Sequence, residues 1–134
     1  MTVGYSGTPL ARKLGIKDGS RVLLVGAPAD FDLGPVDGTP TIQRRPGRTP
    51  YDVALIFCRD RAAIARTLGP SISRTETAGA VWVAWPKKSS GVATDLDENV
   101  VRDMGLAAGV VDVKVCAVDA TWSGLKFVRR LVDR

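Results

Sequence analysis

Three stretches of this chain run apolar almost without interruption: Arg21-Val22-Leu23-Leu24-Val25-Gly26, Asp52 to Cys58, and Ala80 to Trp85. A strand with one face in water alternates apolar and polar residues. An unbroken apolar run instead means burial on both faces, the condition of strands inside a parallel sheet. Helical patterns lie between and after these runs. Asp60 precedes a stretch in which Ala63, Ile64 and Leu68 form one apolar stripe. Thr94 or Asp95 caps a second helix; Asp95 and Glu98 have the spacing of a capping box, and Leu96, Val100, Met104 and Leu106 give the buried face. Strands alternating with helices define an α/β class with a mostly parallel sheet.

The chain then changes character. Val110 to Val118 alternates, with Val111, Val113, Val115 and Ala117 against Asp112, Lys114 and Cys116. That is the pattern of a half-exposed strand near an edge. It is expected to run parallel to the three apolar strands. A turn from Asp119 to Gly124 leads into a last strand, Leu125 to Leu131, which closes an antiparallel hairpin. The fold expected is therefore a small, mostly parallel, mixed Rossmann-like sheet with a C-terminal antiparallel hairpin, in one α/β domain over residues 1–134.

Shorter elements are less sharply written. Thr8 before Pro9 reads as an N-cap and first-turn proline of a short helix with Leu10 and Leu14 on one face. Ala27-Pro28-Ala29-Asp30-Phe31 has the start of a helix. Gly34 to Pro50 is rich in glycine and proline and reads as loop. Inside it, Thr41 to Arg45 has the residues of a short strand. The link from there to the next strand is too short for a parallel crossover, which needs about a dozen residues or more, so this strand is antiparallel, at an edge, or absent. Gly69-Pro70 is expected to end or kink its helix.

Composition removes several chemistries. The 134 residues contain no histidine, so Ser-His-Asp and Cys-His catalysis and the usual zinc sites are excluded. The two cysteines, Cys58 and Cys116, sit in apolar β-rich runs, where a thiol behaves as a small hydrophobe. No apolar run approaches a membrane span, and Met1 to Leu10 lacks the pattern of a signal peptide; the expected compartment is the cytoplasm. A net charge of +5 favours acidic partners, but the basic residues are spread along the chain.

The motifs with possible chemistry each have a plainer reading. Gly26-Ala27-Pro28 follows the first strand where a phosphate-binding loop would start. It holds one glycine, and its proline lacks a donor, so a simple turn accounts for it. Lys87-Lys88-Ser89-Ser90-Gly91 offers cations, hydroxyls and flexible backbone to an anion; the alternative is a solvated basic loop, and a Ser–Lys catalytic pair is formally present. Asp95, Asp97 and Glu98 read as first-turn acids rather than metal ligands. Trp82 has a core position. Trp122 in the hairpin turn either folds back as a packing lid or faces a ligand.

Two resemblances follow from these residues. Tyr5-Ser6-Gly7-Thr8-Pro9-Leu10, Val81-Trp82-Val83-Ala84-Trp85-Pro86-Lys87-Lys88, Val111 to Asp119 and Thr121 to Val128 resemble an actinobacterial family of short proteins known only as a domain of unknown function. That family supplies no activity, cofactor or catalytic residue. The order of strands and helices with a closing hairpin is similar to the class I methyltransferase fold, here in truncated form. Those enzymes bind S-adenosylmethionine through a glycine-rich first loop and an acid ending the second strand. This chain has only Gly26 in the first position and Arg44-Arg45 in the second.

Ligands of open parallel sheets bind beyond the carboxyl ends of the strands. Gly26, Ala27, Pro28, Arg59, Lys87, Lys88, Ser89, Ser90, Trp122 and Ser123 all belong to that edge, and together form the candidate site, around one concavity. The expectation is a non-catalytic or degenerate methyltransferase-like domain binding an anionic ligand or a protein partner, with no cofactor, no metal and no membrane contact. The alternatives are a small transferase with a divergent cofactor site, and weak nucleic-acid binding.

Overall fold

The computed structural model describes residues 7–134; Tyr5 and Ser6 of the first resemblance, and most of the region tested for a signal peptide, lie outside them. The elements in chain order are α1 (Leu10–Lys13), β1 (Arg21–Val25), β2 (Thr41–Gln43), β3 (Tyr51–Phe57), α2 (Arg61–Arg74), β4 (Thr75–Pro86), α3 (Glu98–Ala107), β5 (Val110–Ala117) and β6 (Trp122–Arg129), with 3-10 turns at Lys88–Ser90 and Leu131–Asp133. The strands form one six-stranded sheet in the order β2-β1-β3-β4-β6-β5. β1, β2, β3 and β4 pair in parallel, and β6 is antiparallel to both β4 and β5. β5 thus runs in the direction of β4, as expected, and lies at the sheet edge that its alternation implies, but β6 is inserted between them.

The three apolar runs occupy the centre of the sheet and are buried on both faces, as expected. Leu23, Ala54, Ile56, Val81, Val83 and Leu125 face a cluster completed by Ile64 and Leu68 of α2 and Val101 of α3. Val22, Leu24, Leu55, Phe57, Trp82 and Trp122 face a second cluster completed by Ala11 and Leu14, with Phe31, Leu33 and Val36 packed against it. Trp82 is fully buried, and its indole N–H donates to the Leu14 carbonyl at 3.1 Å. This satisfies the polar end of a core aromatic and ties the N-terminal segment to the sheet.

Several local expectations are corrected. Thr41 begins a strand at the sheet edge, as one of the three readings of this segment had it, and it pairs in parallel with β1 rather than with its sequence neighbour β3. The short link to β3 is no obstacle, because the two never pair. Ala27 to Phe31 forms no helix; Phe31 N–H closes a turn on the Pro28 carbonyl at 3.0 Å. The whole crossover from Gly26 to Pro40 is irregular. Pro9, not Thr8, holds the N-cap position of α1.

Gly69-Pro70 does not end α2, which continues to Arg74. Pro70 is exposed near the end of the helix, where the missing N–H costs one bond, while Leu68 and Ser71 on either side are buried and hold the helix to the sheet. The cap of α3 is Asp97, whose carboxylate accepts the Val100 N–H at 2.9 Å, rather than Thr94 or Asp95. α3 buries Val101 and Gly105, keeps Val100 and Met104 partly buried against the core, and leaves Leu106 exposed. β6 begins at Trp122, three residues earlier than Leu125, because the Asp119 carboxylate accepts the N–H groups of Thr121 and Trp122 and tightens the turn. It also ends at Arg129, before Leu131. No helix among the described residues is long and apolar enough to cross a membrane.

Candidate functional site

β1 feeds β2 on one side of the sheet, and β3 feeds β4 on the other. The crevice between the carboxyl ends of β1 and β3 is therefore the topological switch point, where two connections diverge and leave a gap. Gly26 ends β1 there with φ +68, and a Cβ on it would stand 3.0 Å from the Phe57 carbonyl oxygen. The glycine is demanded by the left-handed turn and by the close approach of β3. The Arg59 carbonyl, two residues beyond β3, accepts the Thr94 hydroxyl, which pins the start of α2 to the loop before α3.

A cleft of about 460 Å³ opens at this point. Gly26 and Pro28 form one lip, Arg59 and the first two turns of α2 with Arg66 the other, and Phe57 with Trp122 the aromatic wall. Phe57 and Trp122 meet edge to face, with centroids 5.1 Å apart and planes at 87°. Phe31 extends the same stack beneath Phe57 at 5.0 Å. Trp122 is 9% exposed, so it is chiefly a packing residue, with only a margin of its ring reaching the cleft.

The cations of the cleft are unpaired. Among the described residues, neither Arg59 nor Arg66 forms an ion pair or a side-chain hydrogen bond, and both are exposed. Asp60 borders the cleft, but its carboxylate is engaged as the N-cap of α2, accepting the Ala63 N–H at 2.8 Å. Asp95 accepts the Arg61 N–H at 2.9 Å. The donors at the start of α2 are thus largely spoken for by protein carboxylates, and the guanidinium groups are the means of holding an anion here.

The residues singled out from sequence separate. Gly26, Pro28, Arg59 and Trp122 surround the cleft. Ala27 packs against the core on the α1 face. The Lys87 N–H donates to the Thr121 carbonyl at 2.8 Å, so the lysine loop is adjacent to the hairpin turn. Lys87 nevertheless lines a different hollow, of about 450 Å³, with Leu10, Leu33, Val118 and Asp119. Lys88 and Ser89 are exposed, and the Ser90 hydroxyl donates to the Lys87 carbonyl at 2.6 Å, closing its own turn. Ser123 pairs with Trp85 and Ala117 across the sheet. The single concavity shared by Trp122 and the lysine loop resolves into two.

Arg66 and Phe57 were not among the residues singled out. The signal for Arg66 was present: Ala62 and Arg66, four residues apart, share the side of α2 away from Ile64 and Leu68. The cysteines behave as read. Cys58 is buried, its Sγ lies 3.6 Å from the Thr67 hydroxyl, and burial pushes its thiol up to about 11. Burial raises the Cys116 thiol as well. No group of three or more His, Cys, Asp or Glu side chains suited to a metal occurs among the described residues.

Comparison with known proteins places this architecture. No family model matches the chain, and no curated protein matches it by sequence. Solved structures do match. Magnesium protoporphyrin IX methyltransferase from Synechocystis PCC 6803 with bound SAH superposes with a TM-score of 0.60 at 11% identity, over 90% of this chain and 78% of that one. A TehB-like SAM-dependent methyltransferase from Corynebacterium glutamicum gives 0.60 at 9% identity, over 95% of this chain and 90% of that one. A ribosomal protein L11 methylase from Lactobacillus delbrueckii subsp. bulgaricus gives 0.57 at 10% identity, over 90% and 74%. At such identities the likeness is one of fold. The chain has an α/β fold with a mixed six-stranded sheet matching that of class I methyltransferases.

Proposed function

We propose that this protein is a methyltransferase-like domain that binds an anionic ligand with a planar group in the cleft between β1, β3 and α2, without transferring a methyl group. The observation that carries the reading is the pair of unpaired guanidinium groups, Arg59 and Arg66, beside the Phe57–Trp122 wall at the switch point. Two guanidinium groups donate to phosphoryl or carboxylate oxygens in a fork geometry, and an aromatic margin suits the flat part of the same molecule. The irregular crossover after β1 supports the departure from a dinucleotide site, because no helix begins there to face a pyrophosphate. Gln43 and the Arg44-Arg45 pair stand at the end of β2, where those enzymes carry an acid. The same proposal takes the chain to act in the cytoplasm and to be kin to the actinobacterial family that its strand motifs resemble.

The second reading is a transferase with a divergent cofactor site, favoured by structural neighbours that hold SAH or SAM. Calorimetry separates the two. With ADP as probe, a dissociation constant in the tens of micromolar is expected, worth about 6–7 kcal/mol. It should weaken at least tenfold in the Arg59→Gln/Arg66→Gln variant, with adenosine and S-adenosylmethionine binding far more weakly. ADP binding no better than adenosine overturns the anion reading; S-adenosylmethionine at a few micromolar establishes the second.

A further inference from the structure

The basic loop after β2 lies one strand beyond this cleft. Leu23 of β1 pairs with Gln43, so the chain leaves β2 level with Leu24, two residues below Gly26 at the cleft's lip. From there it does not wander. The Tyr51 ring is fully buried, its hydroxyl donates to the Gln43 side-chain oxygen, and the same hydroxyl accepts the Gly47 N–H at 2.7 Å. Gln43, just before the loop, and Gly47, midway along it, are thereby tied to one oxygen. Arg21 anchors the far side, donating to the Thr49 and Pro50 carbonyls at 3.3 and 3.2 Å while lying 5.1 Å from the Tyr51 ring centre. What remains at the tip is Arg44, Arg45 and Pro46, with Arg48 close behind.

These arginines have nothing to bind. Among the described residues, Arg44, Arg45 and Arg48 form no ion pair and no side-chain hydrogen bond, and all three are exposed. Like charges gathered on a fixed loop repel one another, a cost that an anion removes. Arg59 and Arg66 stand on one side of β1, and the Arg44-Arg45 pair follows β2 on its other side.

We propose that the Arg44-Arg45 tip is a second phosphate subsite of the same ligand, which is therefore a nucleotide phosphorylated on its ribose as well as at the 5′ position. The inference rests on the anion reading of the cleft. A carboxylate at the end of the second strand accepts hydrogen bonds from ribose hydroxyls, while an arginine in that place has only donors and is matched by a ribose phosphate. A ligand crossing the end of β1 then meets guanidinium groups at both of its phosphates.

The test uses three isomers of one composition: ADP, adenosine 2′,5′-bisphosphate and adenosine 3′,5′-bisphosphate, titrated into the full chain. Their phosphate content is the same, but two phosphomonoesters carry about one charge more than a diphosphate near neutral pH. The two bisphosphates are equal in charge, so the difference between them is the comparison free of unspecific attraction. One of the bisphosphates should bind at least tenfold more tightly than ADP. The Arg44→Gln/Arg45→Gln variant should lose that preference while keeping ADP affinity and the thermal midpoint within error. ADP binding as tightly as both bisphosphates, or a preference that survives in the variant, overturns the ribose-phosphate subsite and leaves the cleft reading standing. No binding of any of the three overturns both.

Discussion

Gly105 of α3 lies directly against the ring of Phe127 in β6: a Cβ at Gly105 would fall 2.0 Å from the Phe127 Cε1 atom. Phe127 is 1% exposed and has no room to retreat. A glycine inside a helix is ordinarily unfavourable, and here it is what lets the helix descend onto the sheet. Gly105→Ala should therefore destabilise the protein by about 1–3 kcal/mol despite its better helix propensity. Urea denaturation with an unchanged slope and a lower midpoint is the expected readout. Phe127→Leu in the same background should recover part of the loss, which separates overpacking from a general effect on the helix.

Arg129 of β6 closes the end of α2. Its guanidinium donates to the carbonyls of Ile72, Thr75 and Glu76 at 2.7, 3.2 and 2.6 Å. Ile72 lies in the last turn of α2, Thr75 is its C-cap and Glu76 already belongs to β4, so the guanidinium ties the helix end to the start of the strand. The continuation of α2 past Pro70 straight into β4 depends on this cap. Arg129→Met keeps much of the aliphatic stem and removes the donors, and should cost about 1–3 kcal/mol. Arg129→Lys should recover little, since a single ammonium cannot span three carbonyls. Amide exchange at the last turn of α2 should quicken in both variants.

The thiols give a pH-dependent signature. Burial raises Cys58 from 9.0 to about 11, and raises Cys116 in the same direction. The folded state therefore holds its thiol protons more tightly than the unfolded chain. The stability this provides is complete below about pH 9 and is lost as pH climbs toward 11. Thermal midpoints should fall over that window, and Cys58→Ala should flatten the part due to Cys58. At pH 8 the native protein should resist a thiol reagent that labels both cysteines in urea.

The central sheet was legible because burial on both faces writes itself as unbroken apolar runs, and Leu23, Leu55 and Val83 stand where those runs put them. The caps were less so. Asp95 and Asp97 have equally good spacing for α3, and the choice falls to Asp97 because the Arg61 N–H, distant in sequence, claims Asp95. The same holds for the site. Sequence order shows which segments share the carboxyl edge, and Gly26, Pro28, Arg59 and Trp122 do line one cleft there. Which side of Trp122 the lysine loop occupies is decided by hydrogen bonds such as Lys87 to Thr121, which no local pattern encodes. Pro70 misled because its penalty is local, while Leu68 and Arg129 hold the helix together from outside it.

β6 is the last strand in sequence and sits between β4 and β5. On a growing chain, β4 presents a long apolar edge with no neighbour, and β5 has none at all, until the segment from Trp122 to Arg129 has left the ribosome. Contacts between segments distant in sequence close slowly, and bare strand edges are what aggregation and chaperones act upon. This one strand completes both β4 and β5, and it carries Phe127 under α3, Arg129 to the end of α2 and Trp122 to the cleft.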